Sequence, residues 1–325
     1  MISRQTARQA ISLLEEEGLV SRKRGSGTYI NQLANEKKAA TRNIGLVTTY
    51  LDDYIFPTII SGVEKVLSKN NYNLTLRLTR NKIQNERIQL LSLLESNIDG
   101  LIVEGTKSAL PNPNMEIYQQ FYDRHIPVIF INSYYHALDC NYIITDDEEG
   151  GRIATRTLIE NGHYKIGGIF KHDDLQGNLR YKGFLQEMYA QNLKVDENAL
   201  LWYSTETLDY QFSTEQLSFL INKFANCSAI ICYNDQIAMK LIQLFSKSSL
   251  NIPNHLSLVS FDNSALSEIA TIPLSSLTHP GKELGKLAAE SILTMIENPH
   301  YNINYVFSPE LINRKSIQNI KHSKK

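Results

Sequence analysis

Short apolar runs alternate with longer amphipathic stretches along most of the chain from residue 44 onward. The apolar runs are rich in β-branched and aromatic residues, which is typical of buried strands. Strands are predicted at 44–50, 74–79, 101–104, 128–132, 166–170, 199–203, 229–233 and 256–261. Helices are predicted between them, including those at 57–70, 85–96, 114–124 and 148–161. This alternation indicates an α/β protein whose parallel sheets are covered by helices on both faces.

The predicted strands form two successive series, each of roughly a hundred residues, which is the size of an ordinary domain. We therefore expect two doubly wound parallel-sheet lobes. Lobe one is predicted at about 44–146 with a return near 265–300, and lobe two at about 147–264 with the C-terminal strand. Ligands of such folds bind beyond the carboxyl ends of the strands, so a cleft between the lobes is the predicted binding site.

The first thirty residues have a different pattern, typical of a helix followed by a hairpin. Ser3 is a suitable N-cap for a helix that runs to about Glu17, and Gly18 suits a left-handed C-cap. One face of this helix is apolar and the opposite face is polar. The apolar face contains Ala7, Ile11 and Leu14, and the polar face contains Arg4, Gln5 and Arg8.

A basic hairpin follows the helix. Apolar pairs at 19–20 and 29–30 flank the polar segment 21–28, whose glycines allow a positive φ. Arginine and glutamine side chains can read base edges, and the cluster Arg22-Lys23-Arg24 suits phosphates or a minor groove. An ordinary helix and hairpin with a solvated basic face would have the same pattern, so residue types alone leave both interpretations open.

Charge and composition favour a small DNA-contacting head on a larger body. The chain has 325 residues and a net charge of −1, but residues 1–43 hold eight lysines and arginines against four acidic residues. The polar segment 31–43 is predicted to be an interdomain linker. Three loosely spaced cysteines indicate reduced thiols, and the sequence contains no membrane-length apolar run or cleavable signal. We therefore expect a cytoplasmic protein that has no membrane partner.

The head resembles a known DNA-binding domain. Residues 3–10 (SRQTARQA) match the recognition helix, and 25–29 (GSGTY) match the wing tip, of the winged helix-turn-helix of the GntR family of bacterial regulators. That family has two further helices before this point. We therefore expect a partial domain at 1–30 with a missing N-terminus, although a fragment or a degenerate head would also fit. The resemblance implies contacts to double-stranded operator DNA from Ser3, Arg4, Gln5, Thr6, Arg8, Arg22, Lys23, Arg24, Gly25, Ser26, Gly27 and Thr28.

The body resembles the LacI-type effector domain, which has the periplasmic-binding-protein fold, over essentially all of 43–320. The landmarks are Gly62, 98–102 (IDGLI), Gly162-His163, 233–238 (YNDQIA) and 260–263 (SFDN). A GntR-type head on such a body is similar to the arabinose-responsive repressors of Gram-positive bacteria. The stretches that match this group are 48–57, 102–110, 131–135, 168–177 and 279–280, with departures at Gly105 and Asn263. The resemblance implies L-arabinose as the effector, a homodimer formed through the effector domain, and no cofactor or metal.

The candidate effector-binding residues lie at or just after the carboxyl ends of the predicted strands, where hydroxyl-binding groups and rings would meet a sugar. They are Tyr50, Tyr54, Glu104, Lys107, Asn132, Tyr134, Asp146, Phe170, Asp173, Arg180, Asn234, Asp262 and His279. Structural roles are an alternative for several of them. The acidic pair 146–147 suits a helix cap, the pair 173–174 a solvated turn, Phe170 and Tyr233 the core, and His279 a turn.

Enzyme motifs are absent from the sequence. It contains no phosphate-binding GxxxxGK[ST] loop, no GxSxG elbow and no HExxH or CxxC pair. We therefore expect a repressor rather than an enzyme. The alternatives left open are a repressor that responds to another pentose or a purine, and a sugar-binding protein without DNA-binding activity.

Overall fold

A computed structural model describes residues 4–16, 20–23, 27–30, 41–51 and 55–321 of the chain. Two compact units are present, one comprising residues 1–41 and the other residues 42–325. The first unit contains helix α1 (Arg4–Glu16) and the antiparallel strands β1 (Val20–Lys23) and β2 (Gly27–Ile30). Val20 pairs with Ile30, and Lys23 pairs with Gly27, whose φ of +121° suits glycine. The predicted helix and hairpin are thus both present.

The second unit contains two six-stranded sheets. The sheet of lobe one has the order β13-β7-β6-β5-β3-β4, and its neighbouring strands are all parallel. Its strands are β3 (Asn43–Thr48), β4 (Asn73–Leu78), β5 (Gly100–Glu104), β6 (Val128–Ile131), β7 (Asn141–Thr145) and β13 (Asn304–Phe307).

The sheet of lobe two has the order β14-β12-β11-β10-β8-β9, and it is parallel except for the antiparallel pair β12 and β14. Its strands are β8 (Ile166–Lys171), β9 (Leu200–Tyr203), β10 (Ala229–Cys232), β11 (Ser257–Asp262), β12 (Ser275–Thr278) and β14 (Leu311–Ile312).

Helices cover both faces of each sheet, and apolar clusters fill the space between the layers. Lobe one contains α2 (Phe56–Lys69), α3 (Ile83–Glu95), α4 (Met115–Asp123) and α11 (Gly281–Glu297). Lobe two contains α5 (Asp147–Glu160), α6 (Leu175–Ala190), α7 (Leu208–Gln211), α8 (Leu217–Lys223), α9 (Asp235–Phe245) and α10 (Ala265–Ile269), with 3-10 turns at Glu197–Ala199 and Thr214–Gln216. Within the described ranges, no helix has the length and apolar character needed to cross a membrane.

Helices α5 and α6 pack closely because glycines lie at their contact. A Cβ on Gly183 would overlap the backbone oxygen of Glu148, and a Cβ on Gly151 would overlap that of Arg180. The start of α5 is thereby held against the first turns of α6. This packing places the two helix segments that carry Asp147 and Arg180 side by side.

The chain crosses between the lobes three times, near residues 146, 279 and 309. The predicted return to lobe one near 265–300 begins too early. Strand β12 pairs with β11 in lobe two, and the return comprises α11 and β13. The four residues of β12 (SSLT) lack the apolar run that would predict a strand. Its Ser276 donates a hydrogen bond to the buried Asp235 instead of packing as an apolar side chain.

Candidate functional site

A cavity of about 580 Å³ lies between the two lobes, at the carboxyl ends of the strands of both sheets. Five of the residues that the sequence analysis selected line it, namely Tyr50, Glu104, Arg180, Asn234 and Asp262. Other lining residues were not selected, and they include Asn81, Lys171, Asp174, Thr205 and Tyr233. The walls therefore combine charged groups, amides, hydroxyls and aromatic rings.

Arg180 is the central group of the lobe-two wall, and it is almost fully buried. Its Nε donates to Asp147 Oδ1 at 2.7 Å, its Nη1 donates to the backbone oxygen of Tyr233 at 2.6 Å, and its Nη2 lies 3.5 Å from Asp262 Oδ1. The guanidinium also lies over the ring of Phe261, with its carbon 4.4 Å from the ring centroid. These contacts fix its plane and its direction, so its position is set before any ligand binds.

Two carboxylates flank Arg180. Burial raises the pKa of Asp147 to about 6, although the adjacent Arg180 opposes this shift. Asp262 ends β11 with a φ of +91°, a left-handed conformation that is uncommon for a residue with a side chain. Backbone strain of this kind concentrates at binding sites, where the surrounding structure holds it.

Asn234 follows β10 and caps helix α9. Its Oδ1 accepts a hydrogen bond from the backbone amide of Ile237 at 3.0 Å. The cap fixes the side-chain amide at the cavity wall, because one of its polar atoms is bound to the helix.

Glu104 lies at the end of β5 on the lobe-one wall. Its Oε2 accepts from the backbone amide and hydroxyl of Thr49 at 3.0 and 2.5 Å, and its Oε1 accepts from Asn132 Nδ2 at 2.9 Å. Asn132 Oδ1 in turn lies 3.0 Å from His279 Nε2 at a lobe crossing. Burial raises the pKa of Glu104, while the hydrogen bonds from Thr49 and Asn132 oppose that change.

Lys171 at the end of β8 is a cavity residue that the sequence analysis missed. Its ammonium lies 3.1 Å from Asp174 Oδ2 and 3.7 Å from Asp173 Oδ1. Burial would lower the pKa of Lys171, but Asp174 and Asp173 outweigh burial and raise it. The ammonium therefore stays charged within the cleft. A lysine that ends a buried strand and precedes an acidic pair was the available signal in the sequence.

Three of the selected residues have other contacts and are not among those that line the large cavity. Phe170 packs in the core against Tyr181, Phe184 and Trp202, and Tyr134 stacks on Tyr142 with ring centroids 4.3 Å apart. Asp146 caps α5 by accepting from the amide of Glu149. A helix cap was the alternative role for the pair 146–147, and the structure gives that role to Asp146, while Asp147 binds Arg180.

Lys107, Asp173 and His279 also lie beside the large cavity rather than in its lining. Lys107 and Asp173 contact each other across the two lobes, with Nζ and Oδ2 separated by 3.5 Å. His279 lines a much smaller cavity together with Arg180 and Asp262. Burial lowers the pKa of His279.

In the head, Gln5, Thr6, Gly27 and Thr28 are exposed. Arg4, Arg8, Arg22 and Lys23 belong to α1 and β1, but their side chains lie outside the described part of the structure. Ser3, Arg24, Gly25, Ser26 and Tyr54 also lie outside the described residues. Gln5 of the predicted polar face is exposed, and so are Ala7 and Leu14 of the predicted apolar face.

The fold and the cleft define a class of protein, namely two-lobed periplasmic-binding-protein-like effector domains with an added DNA-binding head. Residues 155–317 match the periplasmic binding protein-like domain family, and residues 1–30 match the GntR family of bacterial regulatory proteins. A transcriptional regulator in complex with cellobiose has a similar fold, with a TM-score of 0.74, 20% identity and coverage of 97% of this chain and 92% of that chain. The lac repressor dimer bound to its operator has a TM-score of 0.74 at 18% identity, covering 89% of this chain and 99% of that chain.

The chain belongs to the family of arabinose metabolism transcriptional repressors. It is 36% identical to the repressor of that name from Halalkalibacterium halodurans over 99% of this chain and 89% of that protein. It is 38% identical to the one from Geobacillus stearothermophilus over 98% of this chain and 88% of that protein. These relatives are transcriptional repressors rather than enzymes. A ribose operon repressor from Haemophilus influenzae is 29% identical over 88% of this chain and 84% of that protein.

Proposed function

We propose that this protein represses arabinose-utilisation genes and is released from its operator when L-arabinose binds in the cavity between the lobes. The observation that carries this proposal is the pair Arg180 and Asp262 facing a cavity of about 580 Å³, with Arg180 held in place by Asp147. The names of the relatives support arabinose as the sugar. On this proposal the protein is a cytoplasmic regulator without enzymatic activity or a cofactor.

The walls of the cavity suit a small neutral sugar. A pentose presents several hydroxyl groups, and each one that loses water needs a donor or an acceptor in return. Arg180 and Lys171 supply charged donors, and Asp262 supplies acceptor oxygens. Asn234 supplies its amide nitrogen as a neutral donor, since its Oδ1 accepts from Ile237 in the α9 cap. Tyr50 provides an aromatic ring for the apolar face of the sugar. Because the polar groups are already held by neighbouring residues, ordering them on binding costs little.

Operator release follows from linkage between the two sites. We infer a homodimer formed through the effector domain, which places two heads on a two-fold symmetric operator. A sugar that binds more tightly to the closed arrangement of the lobes shifts the population toward it. If the two heads fit the operator less well when the lobes are closed, the free energy of DNA binding becomes less favourable by the coupling free energy.

A thermal melt with added ligands tests the choice of effector. L-arabinose should raise the melting temperature in a concentration-dependent way, because a ligand that binds only the native state stabilises it by RT ln(1 + [L]/Kd). D-xylose, D-ribose and hypoxanthine serve as matched controls and should shift the melting temperature weakly or not at all. A shift with ribose or hypoxanthine, but none with millimolar arabinose, would assign the cavity to another effector.

A further inference from the structure

Loops of the two lobes are joined by an ion pair beside the cavity. Lys107, in the loop after β5 of lobe one, places its Nζ 2.7 and 2.9 Å from the two carboxylate oxygens of Glu206 in lobe two. The same Nζ lies 3.5 Å from Oδ2 of Asp173, also in lobe two. The Lys107 side chain is 14% exposed and that of Asp173 is fully buried, so solvent screens the Lys107–Asp173 contact less than an ordinary surface ion pair, whereas Glu206 is 54% exposed.

Neutral hydrogen bonds reinforce the same junction. Asn81 of lobe one donates through Nδ2 to Thr205 Oγ1 of lobe two at 2.6 Å, and its Oδ1 accepts from the Lys107 amide at 2.7 Å. In addition, the Leu175 amide at the start of α6 donates to Ser108 Oγ in lobe one at 2.9 Å. Asn81 is only 1% exposed. Each of these contacts across the lobes requires the two loops to stay together.

The lobe-one loop is held in place from behind. Glu86, buried in α3, lies within hydrogen-bond distance of the hydroxyls of Tyr118 and Tyr135 and of the amide groups of Asn112 and Asn114. Tyr135 also contacts the backbone oxygen of Thr106, the residue before Lys107. This buried polar network orders the loop before the lobes meet, so the ion pair loses less conformational entropy when it forms.

We propose that these contacts form an interlobe latch that holds the lobes closed over the effector and slows its release. The latch comprises Asn81, Lys107, Ser108, Asp173, Thr205 and Glu206. Lys107 is then a positioning residue, since it acts through the lobes rather than by touching the sugar. The identity of the enclosed ligand rests on the proposed function. The contacts of the latch do not, because they join the lobes whichever small molecule the lobes enclose.

The test measures sugar dissociation by stopped flow, with Trp202 as the intrinsic fluorescent probe because it is the one tryptophan of the chain. Lys107→Met and Glu206→Gln should each speed arabinose dissociation by roughly three- to tenfold, with little change in the association rate. The double variant should be no faster than Lys107→Met alone, because that change already removes the contact that Glu206→Gln weakens. Lys107→Arg keeps the positive charge, so dissociation from this variant should stay slow.

Lys182→Met is the matched control. Lys182 pairs with Glu148 at 2.8 Å, but both residues belong to lobe two, so the loss of this pair should leave dissociation unchanged. If Lys182→Met speeds release as much as Lys107→Met does, or if the double variant shows additive effects, the latch is refuted.

Amide hydrogen exchange at Leu175 tests the latch without a ligand. Its amide bonds to Ser108 across the lobes, so exchange should be several times faster in Lys107→Met than in Lys182→Met. Failure of arabinose to bind the wild-type protein would refute the proposed function, and the exchange measurement would still decide on the latch. Equal exchange rates at the Leu175 amide in Lys107→Met and Lys182→Met would overturn the proposed latch.

Discussion

Arg180 and Asp262 are the residues on which the binding site depends most. Arg180→Ala and Asp262→Ala should each weaken arabinose binding by about 1–3 kcal/mol, since each change removes one partner of a desolvated polar contact. Isothermal titration calorimetry measures the loss, and circular dichroism checks that both variants fold. Arg156→Ala is a suitable control, because Arg156 forms a two-point contact with Glu187 of lobe two away from the cavity. Unchanged titration curves for both cavity variants would place the sugar elsewhere.

For single residues, position at the carboxyl end of a strand predicted the cavity lining better than residue type did. Asn234 and Asp262 lie at the cavity because the carboxyl ends of parallel strands meet at one edge of the sheet. Asn81 and Thr205 could not be paired from the sequence, since they are 124 residues apart and meet only when the lobes come together. Lys107 and Asp173 were expected to contact the effector, and in the structure Lys107 joins the lobes through Asp173 and Glu206.

At the scale of elements, the contact between α5 and α6 positions the cavity wall. Gly183→Ala should destabilise the protein by about 1–3 kcal/mol, because the added methyl group would force these closely packed helices apart. It should also weaken arabinose binding, since α6 carries Arg180 and α5 carries Asp147. Urea denaturation and calorimetry measure the two effects.

Tyr189→Ala is the control for this change. Tyr189 lies on the exposed side of the same helix, so its loss should alter stability by no more than about 0.5 kcal/mol. A Gly183→Ala protein as stable as the Tyr189→Ala protein would show that the two helices have room to adjust.

The elements that the sequence predicted are those with a continuous apolar run or a clear helical period. The strands β3, β5, β6, β8, β10 and β11 and the helices α2, α3, α4 and α5 lie within a few residues of their predicted bounds. Strand β12 was missed because the hydroxyls of Ser275 and Ser276 form hydrogen bonds with Arg314 and Asp235, so the strand has no continuous apolar run. Strand β13 was missed because it is an exposed edge strand with little apolar burial of its own.

At the scale of the whole molecule, a basic head followed by a two-lobed effector domain is the arrangement that a ligand-controlled repressor requires. Most of the linker predicted at 31–43 lies outside the described residues. Net positive charge in residues 1–43 favours contact of the head with phosphates, while the net acidic remainder does not. Residues 265–278 were assigned to the wrong lobe. The chain crosses between the lobes three times, and the amino-acid composition does not change at the crossings.

The most direct test is the affinity for operator DNA with and without L-arabinose. A fluorescence anisotropy titration of labelled operator, at fixed salt, should show affinity weakened roughly 5- to 150-fold when arabinose saturates the cavity, as expected for a coupling of ordinary size. D-ribose at the same concentration should leave the curve unchanged, and bound operator should weaken arabinose binding by the same factor. An operator affinity that stays constant while arabinose fills the cavity would contradict control of this repressor by arabinose.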